Sequence, residues 1–528
     1  MLHLSAPAKA GLLLGLIAAL TILLFGGWSS VVIGAILGAA AAHVACYWTP
    51  DLGSPRRGAQ VGQLAGLTLG LVGVVATVIE AQVLLPAAGE EALSWLQTVV
   101  FAGCTLIGAY LTGLGMGSLQ GLPEHRQRNN KWVLAGFAVL YPLIDYWAGL
   151  GWTATVIQIL IFAMLALGLN IVVGYAGLLD LGYAAFFAIG AYTTAFFSSP
   201  QLGLQWNFWI VIWIAAAVAA LAGVTLGSPT LPLRGDYLAI VTLGFGEIVP
   251  IVFRNLTSIR LNEPISAFLG GLFNRPEWVI CWVGCEEPFN LTGGEAGINP
   301  IGRPSLPLIG SFTSSNYLPW YFLILSLVVM ALFAIGRLRQ SRIGRAWAAM
   351  REDELAASTM GINLVQTKLM AFAMGATFSG FAGAFYASYI RAIFPTVFDF
   401  SVSVIILCMV ILGGLGNMTG VLLGCFIIMG ADRLYLPQLA QVLKKVLQTS
   451  ILPNIPSPAW QEFISTSIDP IQMRLFLFGL TLVIMMLVRP EGLIPSATRR
   501  AELHHGDPNG EVPATEETAI SSSGSGSH

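Results

Sequence analysis

The amino-acid sequence predicts an all-α polytopic membrane protein, a bundle of roughly 11–13 transmembrane helices with broken or re-entrant segments. Hydrophobic residues make up 56% of the chain and charged residues only 10%, whereas soluble domains carry about 25% charged residues. Apolar runs of about 20 residues recur along the chain, and each is long enough to cross a bilayer as one helix. The runs lack the alternation of apolar and polar residues that is typical of outer-membrane barrels.

The predicted spans begin near the N-terminus and continue to residue 488. They are 11–28, 30–47, 62–86, 96–118, 132–150, 153–173, 178–198, 206–227, 237–254, 318–336, 369–390, 402–431 (broken) and 472–488. The first run is followed by neither a small-residue cleavage site nor a soluble domain. It is therefore interpreted as a retained helix and not as a removed signal peptide.

Basic residues in the loops predict the orientation of the chain. The segment 337–368 carries the largest share of them, which places it in the cytoplasm. They are Arg337, Arg339, Arg342, Arg345, Arg351 and Lys368. Alternation outward from this segment puts the other basic loops on the same side, provided that 402–431 enters and leaves on one face or crosses twice.

The sequence "ILGGLGNMTG" supplies a reason for such a break, because Gly413, Gly414 and Gly416 interrupt the apolar run. Backbone groups freed at a break have no hydrogen-bond partner in lipid, so the break is expected to be buried in protein or to line a cavity. The alternative is a plain tight turn between two helices at the surface.

Composition and motifs argue against several classes of function. The net charge of −2 offers no basic footprint for nucleic acid. A Walker A loop ends in Gly-Lys, and none of the five lysines follows a glycine, so the chain has no P-loop of its own. The six histidines form no ligand spacing, so neither a metal site nor enzyme chemistry is predicted. The chain is then either a passive or ion-coupled carrier or a subunit driven by a partner's ATP hydrolysis.

The arginine-rich segment favours the driven subunit. Its middle, Met350 to Met360, contains good helix formers, with Ala356 and Ala357 followed by Gly361. This pattern predicts one short amphipathic helix that ends in a glycine cap, lies parallel to the membrane and offers a knob to a cytosolic partner. The alternative is an ordinary solvated loop helix.

The spacing of Ala356-Ala357, three residues and Gly361 resembles the "EAA" coupling loop of ABC importer permeases. The glutamate position of that motif is Leu355 here, with Glu354 one place earlier. Further matching stretches are "LALGLNIVVGYAGLLDLGYAAFFAIGAYTTA", "LRGDYLAIVTLGFGEIVPIVFRNLT" with "LTGGEAGI", and "VIILCMVILGGLGNMTGVLLG" with "RPEGLIP". Together they resemble the branched-chain amino acid ABC permease family, LivM-type subunit, over about 132–497.

The resemblance implies three regions. Residues 1–131 would be an N-terminal extension with about four transmembrane helices, and 132–497 the permease core. Within the core, 255–317 would be a periplasmic insertion and 337–368 the cytoplasmic coupling loop. Residues 498–528, polar and rich in serine and glycine, would form a disordered cytoplasmic tail.

The resemblance also implies a heteromeric importer in the bacterial inner membrane. Its partners would be a homologous second permease subunit, two cytoplasmic ATPase subunits that bind the ATP, and a periplasmic amino-acid-binding protein. No cofactor is expected in this chain. The implied cargo is leucine, isoleucine or valine, and the alternatives are a urea or short-amide permease and a self-sufficient secondary transporter.

Carboxylates at membrane depth are costly, so Asp180 and Glu247 are the first candidates for the translocation pathway, with structural hydrogen bonding as the alternative for Glu247. Asp145 and Glu80 are interpreted as interfacial. Glycines near these positions either allow close helix approach or line the pathway. The remaining pathway candidates are Gly174, Gly177, Gly182, Gly413, Gly414, Gly416 and Asn417.

One cysteine pair falls in the predicted periplasmic segment. The sequence "CWVGC" brings Cys281 and Cys285 within reach of each other, in a compartment that permits disulfides. A disulfide and two free thiols both remain open.

Overall fold

The structure is a computed structural model, and it describes the central part of the chain. The continuous ranges are 55–79, 151–200, 204–229, 236–257, 290–306, 310–313 and 315–435, with short pieces at 42, 102, 105–107, 109–110, 138–143, 145–146, 261–262, 281–283 and 483. The predicted spans 11–28, 30–47 and 472–488 lie almost entirely outside the described residues. The predicted tail 498–528 lies wholly outside them.

Helices dominate the described residues. They are α1 (Pro55–Ile79), α2 (Thr153–Leu169), α3 (Tyr183–Ser198), α4 (Phe208–Gly227), α5 (Asp236–Asn255), α6 (Tyr317–Gln340), α7 (Arg342–Glu352), α8 (Glu354–Thr359), α9 (Leu364–Ile390), α10 (Phe400–Gly413) and α11 (Met418–Gly430). A π-helical turn, Asn170–Tyr175, continues α2. Another π-helical turn, Ala431–Tyr435, continues α11.

Among the described residues, six helical stretches are long and apolar enough to cross a membrane: 153–175, 208–227, 237–255, 317–340, 364–390 and 395–413. Two shorter apolar helices, Ala59–Val75 and Tyr183–Ser198, accompany them. At 1.5 Å per residue, the 20 residues of α5 reach about 30 Å, the thickness of a hydrocarbon core. The prediction of an all-α polytopic membrane protein is confirmed.

The described strands are short and lie outside the helical bundle. β1 (Leu261–Asn262) pairs antiparallel with β2 (Cys281–Val283). β3 (Ser305–Leu306) pairs antiparallel with β4 (Gly310–Ser311). All four fall in the segment predicted as an insertion, 255–317, so they leave the helical class unchanged.

Most predicted spans in this part match their helices to within a few residues, and three begin elsewhere. α9 begins at Leu364 instead of residue 369, where the Asn363 side chain caps it. α1 begins at Pro55 instead of residue 62; proline suits the first helical turn, where its missing N–H costs nothing. α3 begins at Tyr183 instead of residue 178, because the Asp180 carboxylate accepts the Gly182 N–H at 2.9 Å and holds a turn there.

The single helix predicted over Met350 to Met360 is wrong. The structure has two helices, α7 and α8, which meet at Asp353. Asp353 has an extended backbone, and its side chain accepts the N–H groups of Leu355 and Ala356 at 2.7 and 3.1 Å. An aspartate in this role caps a new helix, so it ends the preceding one.

α9 is the central helix, and it packs on α2, α3 and α4. Small residues make this packing close. A methyl group added to Gly190 of α3 would lie 2.6 Å from the Cα of Gly380 in α9. One added to Gly380 would lie 2.8 Å from the Cα of Ala216 in α4. Membrane helices commonly approach each other over such small residues, because apolar contact alone does not drive their association in lipid.

α10 and α11 form a helical hairpin around the predicted break. Gly413 packs on Gly420 of the returning helix, and Gly424 packs on Met409. The connecting turn is buried at Gly414 and Gly416. The prediction that the "ILGGLGNMTG" break is buried in protein is confirmed, and the two helices pack against each other on either side of it.

The bundle has two distinguishable ends. One, here called the arginine-rich end, holds α7 and α8 together with the end of α2 and the hairpin turn. At the opposite end, residues 290–301 fold over α5 and α9: the Leu291 N–H donates to the Leu256 carbonyl at 3.2 Å, and Ile298 forms a β-bridge with Ile393.

Candidate functional site

The arginine-rich end carries a short helical segment, α7 and α8, that is anchored to the bundle by buried side chains. Trp347 is fully buried, and its indole N–H donates to the Thr367 carbonyl at 2.9 Å. Met350, one turn later, is also buried. Trp347 holds α7 against the start of α9, because a buried indole needs both apolar contact and a hydrogen-bond acceptor.

The outer face of α8 presents large apolar side chains beside the exposed Ser358 and Thr359. Leu355 is 68% exposed and Met360 84% exposed, and Ala356 is exposed between them, whereas Ala357 is buried against the bundle. Gly361 ends the segment with φ +85°, a left-handed conformation that glycine adopts without strain. The predicted glycine cap and outward knob are both present in this arrangement.

Glu354 points back into the chain. Its carboxylate lies 2.8 Å from the ammonium group of Lys368 in α9, whose side chain is only 7% exposed. A buried ammonium group requires a partner, and Glu354 supplies it. Glu354 is therefore committed to an ion pair within the chain, while Leu355, at the place of the motif's glutamate, faces outward.

Arg351 joins α7 to the end of α2. Its guanidinium donates a 2.6 Å hydrogen bond to the carbonyl of Gly174, in the π-helical turn. The stem of the same side chain covers Gly177, where an added methyl group would lie 2.8 Å from the Arg351 Cγ. Arg339 adds a second cation at this point, 5.9 Å from the centre of the Tyr175 ring.

The π-helical turn also contacts the hairpin turn. Asn170 is fully buried, and its side-chain oxygen accepts the Gly416 N–H at 2.9 Å. A methyl group on Gly174 would lie 2.7 Å from the same Gly416 nitrogen. Asn417 follows as the cap of α11, since its side-chain oxygen accepts the N–H of Thr419 at 3.1 Å.

Asp180 lies in the turn 176–182, between two apolar helices and outside the candidate spans. It is buried; one carboxylate oxygen accepts the Gly182 N–H, and the other has no hydrogen-bond partner among the described residues. Burial raises the pKa of the Asp180 carboxyl to about 7, although the hydrogen bond from Gly182 and the nearby Thr242 hydroxyl act in the lowering direction.

Glu247 lies near the middle of α5, on its exposed face. Tyr237, Ile240 and Ile251 are exposed at helical spacing along the same face. A methyl group on Gly244 would meet no atom of this chain within 4 Å. No described residue forms an ion pair with the carboxylate.

The family comparison identifies the chain. The family described as "Branched-chain amino acid transport system / permease component" matches residues 152–486, which is more than half of the sequence. The chain belongs to this family. The predicted resemblance to this family is thereby confirmed, with the match over 152–486.

Individual members of the permease family agree. The high-affinity branched-chain amino acid transport system permease protein LivM of Escherichia coli is 35% identical over 352 residues, 67% of this chain and 72% of the relative. LivM of Salmonella typhimurium is 34% identical over 372 residues, with the same shares. LivH of Salmonella typhimurium, also a permease, is 24% identical over 302 residues, 55% of this chain and 87% of the relative. No solved structure matches.

The permease fold brings together some predicted site residues and separates others. Gly174 and Gly416 meet across the π-helical turn, and Gly177 lies under Arg351, whereas Glu247 faces away from this cluster. Sequence reasoning missed Asn170 and the partner of Arg351. A polar amide inside an apolar run was the available signal for Asn170. Cys285 lies outside the described residues, so the predicted cysteine pair does too.

Proposed function

We propose that this chain is the permease subunit of a heteromeric ABC importer that moves leucine, isoleucine and valine across the bacterial inner membrane. Membership of the branched-chain amino acid permease family and the names of its relatives support the cargo class. The outward apolar face of α8 carries the argument for ATP-driven transport, because it is the surface on which a partner ATPase would act.

Exposure of Leu355 and Met360 supports docking at this surface. Large apolar side chains that protrude from a helix at the edge of a membrane protein are exposed to water unless a partner covers them. The neighbouring arginines place this end in the cytoplasm by the positive-inside rule. Two cytoplasmic ATPase subunits bind the ATP, and one of them covers α8. Leu355 and Met360 supply the apolar part of this contact, and Glu354 is held by Lys368.

The exposed face of α5 forms a wall of the translocation pathway. A carboxylate directed into lipid at mid-span costs about 2.5–3.5 kcal/mol or more, so Glu247 faces water, the cargo or the second permease subunit. The cargo is a zwitterion with an aliphatic side chain. The Glu247 carboxylate can attract the ammonium group of the cargo, and Ile240 and Ile251 can contact the aliphatic side chain of the cargo.

Backbone geometry at this point suits a pathway wall. Pro250 lies inside α5 and has no N–H, so the Gly246 carbonyl lacks the helical hydrogen bond it would otherwise receive. Interrupted helices with free carbonyls are found where transporters bind their cargo. Gly244, one turn before Glu247, leaves the adjacent surface open.

A homologous second permease supplies the facing wall, and a periplasmic amino-acid-binding protein delivers the cargo. The similarity to both LivM and LivH relatives supports a two-permease assembly. Transport proceeds by alternating access, and no covalent chemistry takes place on this chain. ATP is hydrolysed to ADP and phosphate on the partner subunits.

Uptake by the reconstituted complex tests the proposal. The chain is co-expressed with the second permease and the ATPase subunits, placed in proteoliposomes with ATP, and supplied with binding protein and radiolabelled leucine or urea. We expect ATP-dependent uptake of leucine and none of urea. Uptake of urea alone would overturn the cargo, and leucine uptake by this chain alone under an ion gradient would overturn the dependence on ATPases.

A further inference from the structure

We propose that Arg351 is a positioning residue that links α7 and α8, here called the coupling segment, to the α10–α11 hairpin through the π-helical turn Asn170–Tyr175. This inference rests on the proposed function and extends it from where the ATPase acts to how its movement reaches the membrane core. The juxtaposition that carries it is a continuous chain of contacts from Arg351 to Gly174, within the turn to Asn170, and on to Gly416.

The first contact, between Arg351 and Gly174, suits an arginine side chain. The guanidinium donates to the Gly174 carbonyl at 2.6 Å, and Arg351 is partly buried at the base of α7. Gly177 leaves room for the stem of the side chain, because a methyl group there would lie within 3 Å of the Arg351 Cγ. A charged donor to a carbonyl makes a stronger bond than a neutral one, so movement of α7 pulls on this carbonyl.

The second contact passes through a mechanically distinct piece of helix. Residues 170–175 form a π-helical turn at the end of α2, and such turns in otherwise α-helical segments are frequent at functional sites. The Ala176 N–H donates to the Ile171 carbonyl at 3.1 Å, which preserves the wider turn up to its last residue. The turn can change register by one residue without breaking α2, because its bonds differ from those of the preceding helix.

The third contact delivers the movement to the hairpin. The Asn170 side chain holds the Gly416 N–H at 2.9 Å, and both residues are buried. Gly174 approaches the Gly416 nitrogen closely enough that no side chain fits between the two turns. A shift of the π-helical turn therefore displaces the hairpin turn, since close-packed groups transmit displacement and do not absorb it.

Two other side chains tie the coupling segment to α9. Trp347 bonds to Thr367, and Glu354 pairs with Lys368, so α7, α8 and the start of α9 are held as one unit. Arg351 reaches from that unit to the end of α2. Loss of Arg351 would leave the docking face of α8 in place and remove its link to the hairpin.

Uptake of leucine per ATP hydrolysed, measured in proteoliposomes of the complete complex, tests this inference. We expect Arg351→Gln to lower the ratio about tenfold while ATP hydrolysis continues, the size of a typical coupling energy. Arg351→Lys, which keeps the charge but not the fixed guanidinium geometry, should fall between Arg351→Gln and the wild type. Arg337→Gln is the matched control, because its guanidinium lies over Phe333 of its own helix, and its ratio should equal that of the wild type.

A second variant tests the other end of the contact chain. Asn170→Ala removes the bond to Gly416 without touching α7, and we expect the same fall in the ratio. The double variant should be no worse than either single variant, because both interrupt one contact chain. An Asn170→Ala complex with the wild-type ratio would overturn the inference, and so would fully additive losses. The Asn170→Ala result can be read even if Arg351→Gln does not assemble.

Failure of this inference is distinguishable from failure of the proposed function. If the wild-type complex takes up leucine with ATP while the Arg351 and Asn170 variants keep its ratio, the permease function stands and the contact chain has no role in coupling. If the wild type shows no ATP-dependent uptake of leucine, the proposed function falls and the inference falls with it.

Discussion

Lys368 and Glu354 form an ion pair at 2.8 Å, and this pair joins the start of α9 to the start of α8. The lysine is nearly fully buried, and the glutamate is a quarter exposed. We expect Lys368→Met and Glu354→Gln each to lower the free energy of unfolding by about 1–3 kcal/mol, less than for a fully buried pair because water reaches one partner.

Denaturation of the purified protein in detergent measures these losses in a double-mutant cycle. The combined variant should lose less than the sum of the single losses, because neither charge is then left unpaired. Additive losses would show that the two groups do not depend on each other.

Substitutions at Gly361 test whether a negative charge is tolerated at the docking face of α8, beside Leu355 and Met360. Aspartate and asparagine both tolerate the left-handed backbone at this position, and a side chain there meets no atom of this chain within 4 Å. Gly361→Asp should therefore insert into the membrane normally and uncouple ATP hydrolysis from uptake, because it places a carboxylate beside an apolar contact. Gly361→Asn, nearly the same size and uncharged, should keep most of the uptake. Equal uptake by the two variants would remove the apolar docking surface from the mechanism.

Glu247 should determine transport and leave assembly unchanged. We expect Glu247→Gln to reduce leucine uptake about tenfold, since a neutral amide attracts an ammonium group less than a carboxylate does. The control is Glu295→Gln, which changes an exposed carboxylate at the end of the bundle away from the arginine-rich end. This carboxylate lies 3.7 Å from Arg254. Co-purification of the subunits checks that both variants assemble. Wild-type uptake by Glu247→Gln would remove this carboxylate from the pathway.

Gly190 should be intolerant of any side chain. Gly190→Ala would press a methyl group against the Gly380 backbone, and we expect a loss of about 1–3 kcal/mol in stability, the usual cost of overpacking. Gly244→Ala is the matched control for stability, because its methyl group meets no atom of this chain within 4 Å. Thermal unfolding in detergent separates the two variants, and equal midpoints would contradict the close α3–α9 contact.

Asp180 gives a pH-dependent stability. Its pKa in the folded protein, about 7, lies above the ordinary value of 3.8, so folding favours the protonated acid. The associated stability is complete below about pH 4 and is lost as the pH rises to 7. Asp180→Asn mimics the neutral acid. Its advantage in melting temperature over the wild type should therefore be larger at pH 8 than at pH 5. The exposed Asp399, changed in the same way, controls for the loss of a negative charge, and a constant advantage for Asp180→Asn would contradict the burial of Asp180.

Much of the described fold could be predicted because lipid imposes simple rules on sequence. The apolar runs of α5, α6 and α9 are long enough to span, and Gly413, Gly414 and Gly416 predicted the break between α10 and α11. Composition could not predict that the coupling segment contains two helices. The end of α7 depends on the Asp353 carboxylate, which accepts two backbone N–H groups of α8.

The relationships within the candidate site were beyond sequence reasoning for a different reason. Arg351 and Gly174 are 177 residues apart, and Asn170 and Gly416 are 246 residues apart. A single sequence contains the side chains but not the packing that selects their partners. The resemblance indicated where the coupling loop lies in the sequence. The contacts in the structure indicate which of its residues bind the helices of the membrane core.

The fastening of Leu291 to Leu256 has a consequence for how this permease can vary. The chain leaves the bundle at the end of α5 and returns to the same position at Leu291. The two ends of the segment between Leu256 and Leu291 are therefore adjacent. Its length is thereby decoupled from the spacing of α5 and α6. Shortening it to a tight turn would leave the helices where they are, and an outer surface can be remodelled there without disturbing the transport core.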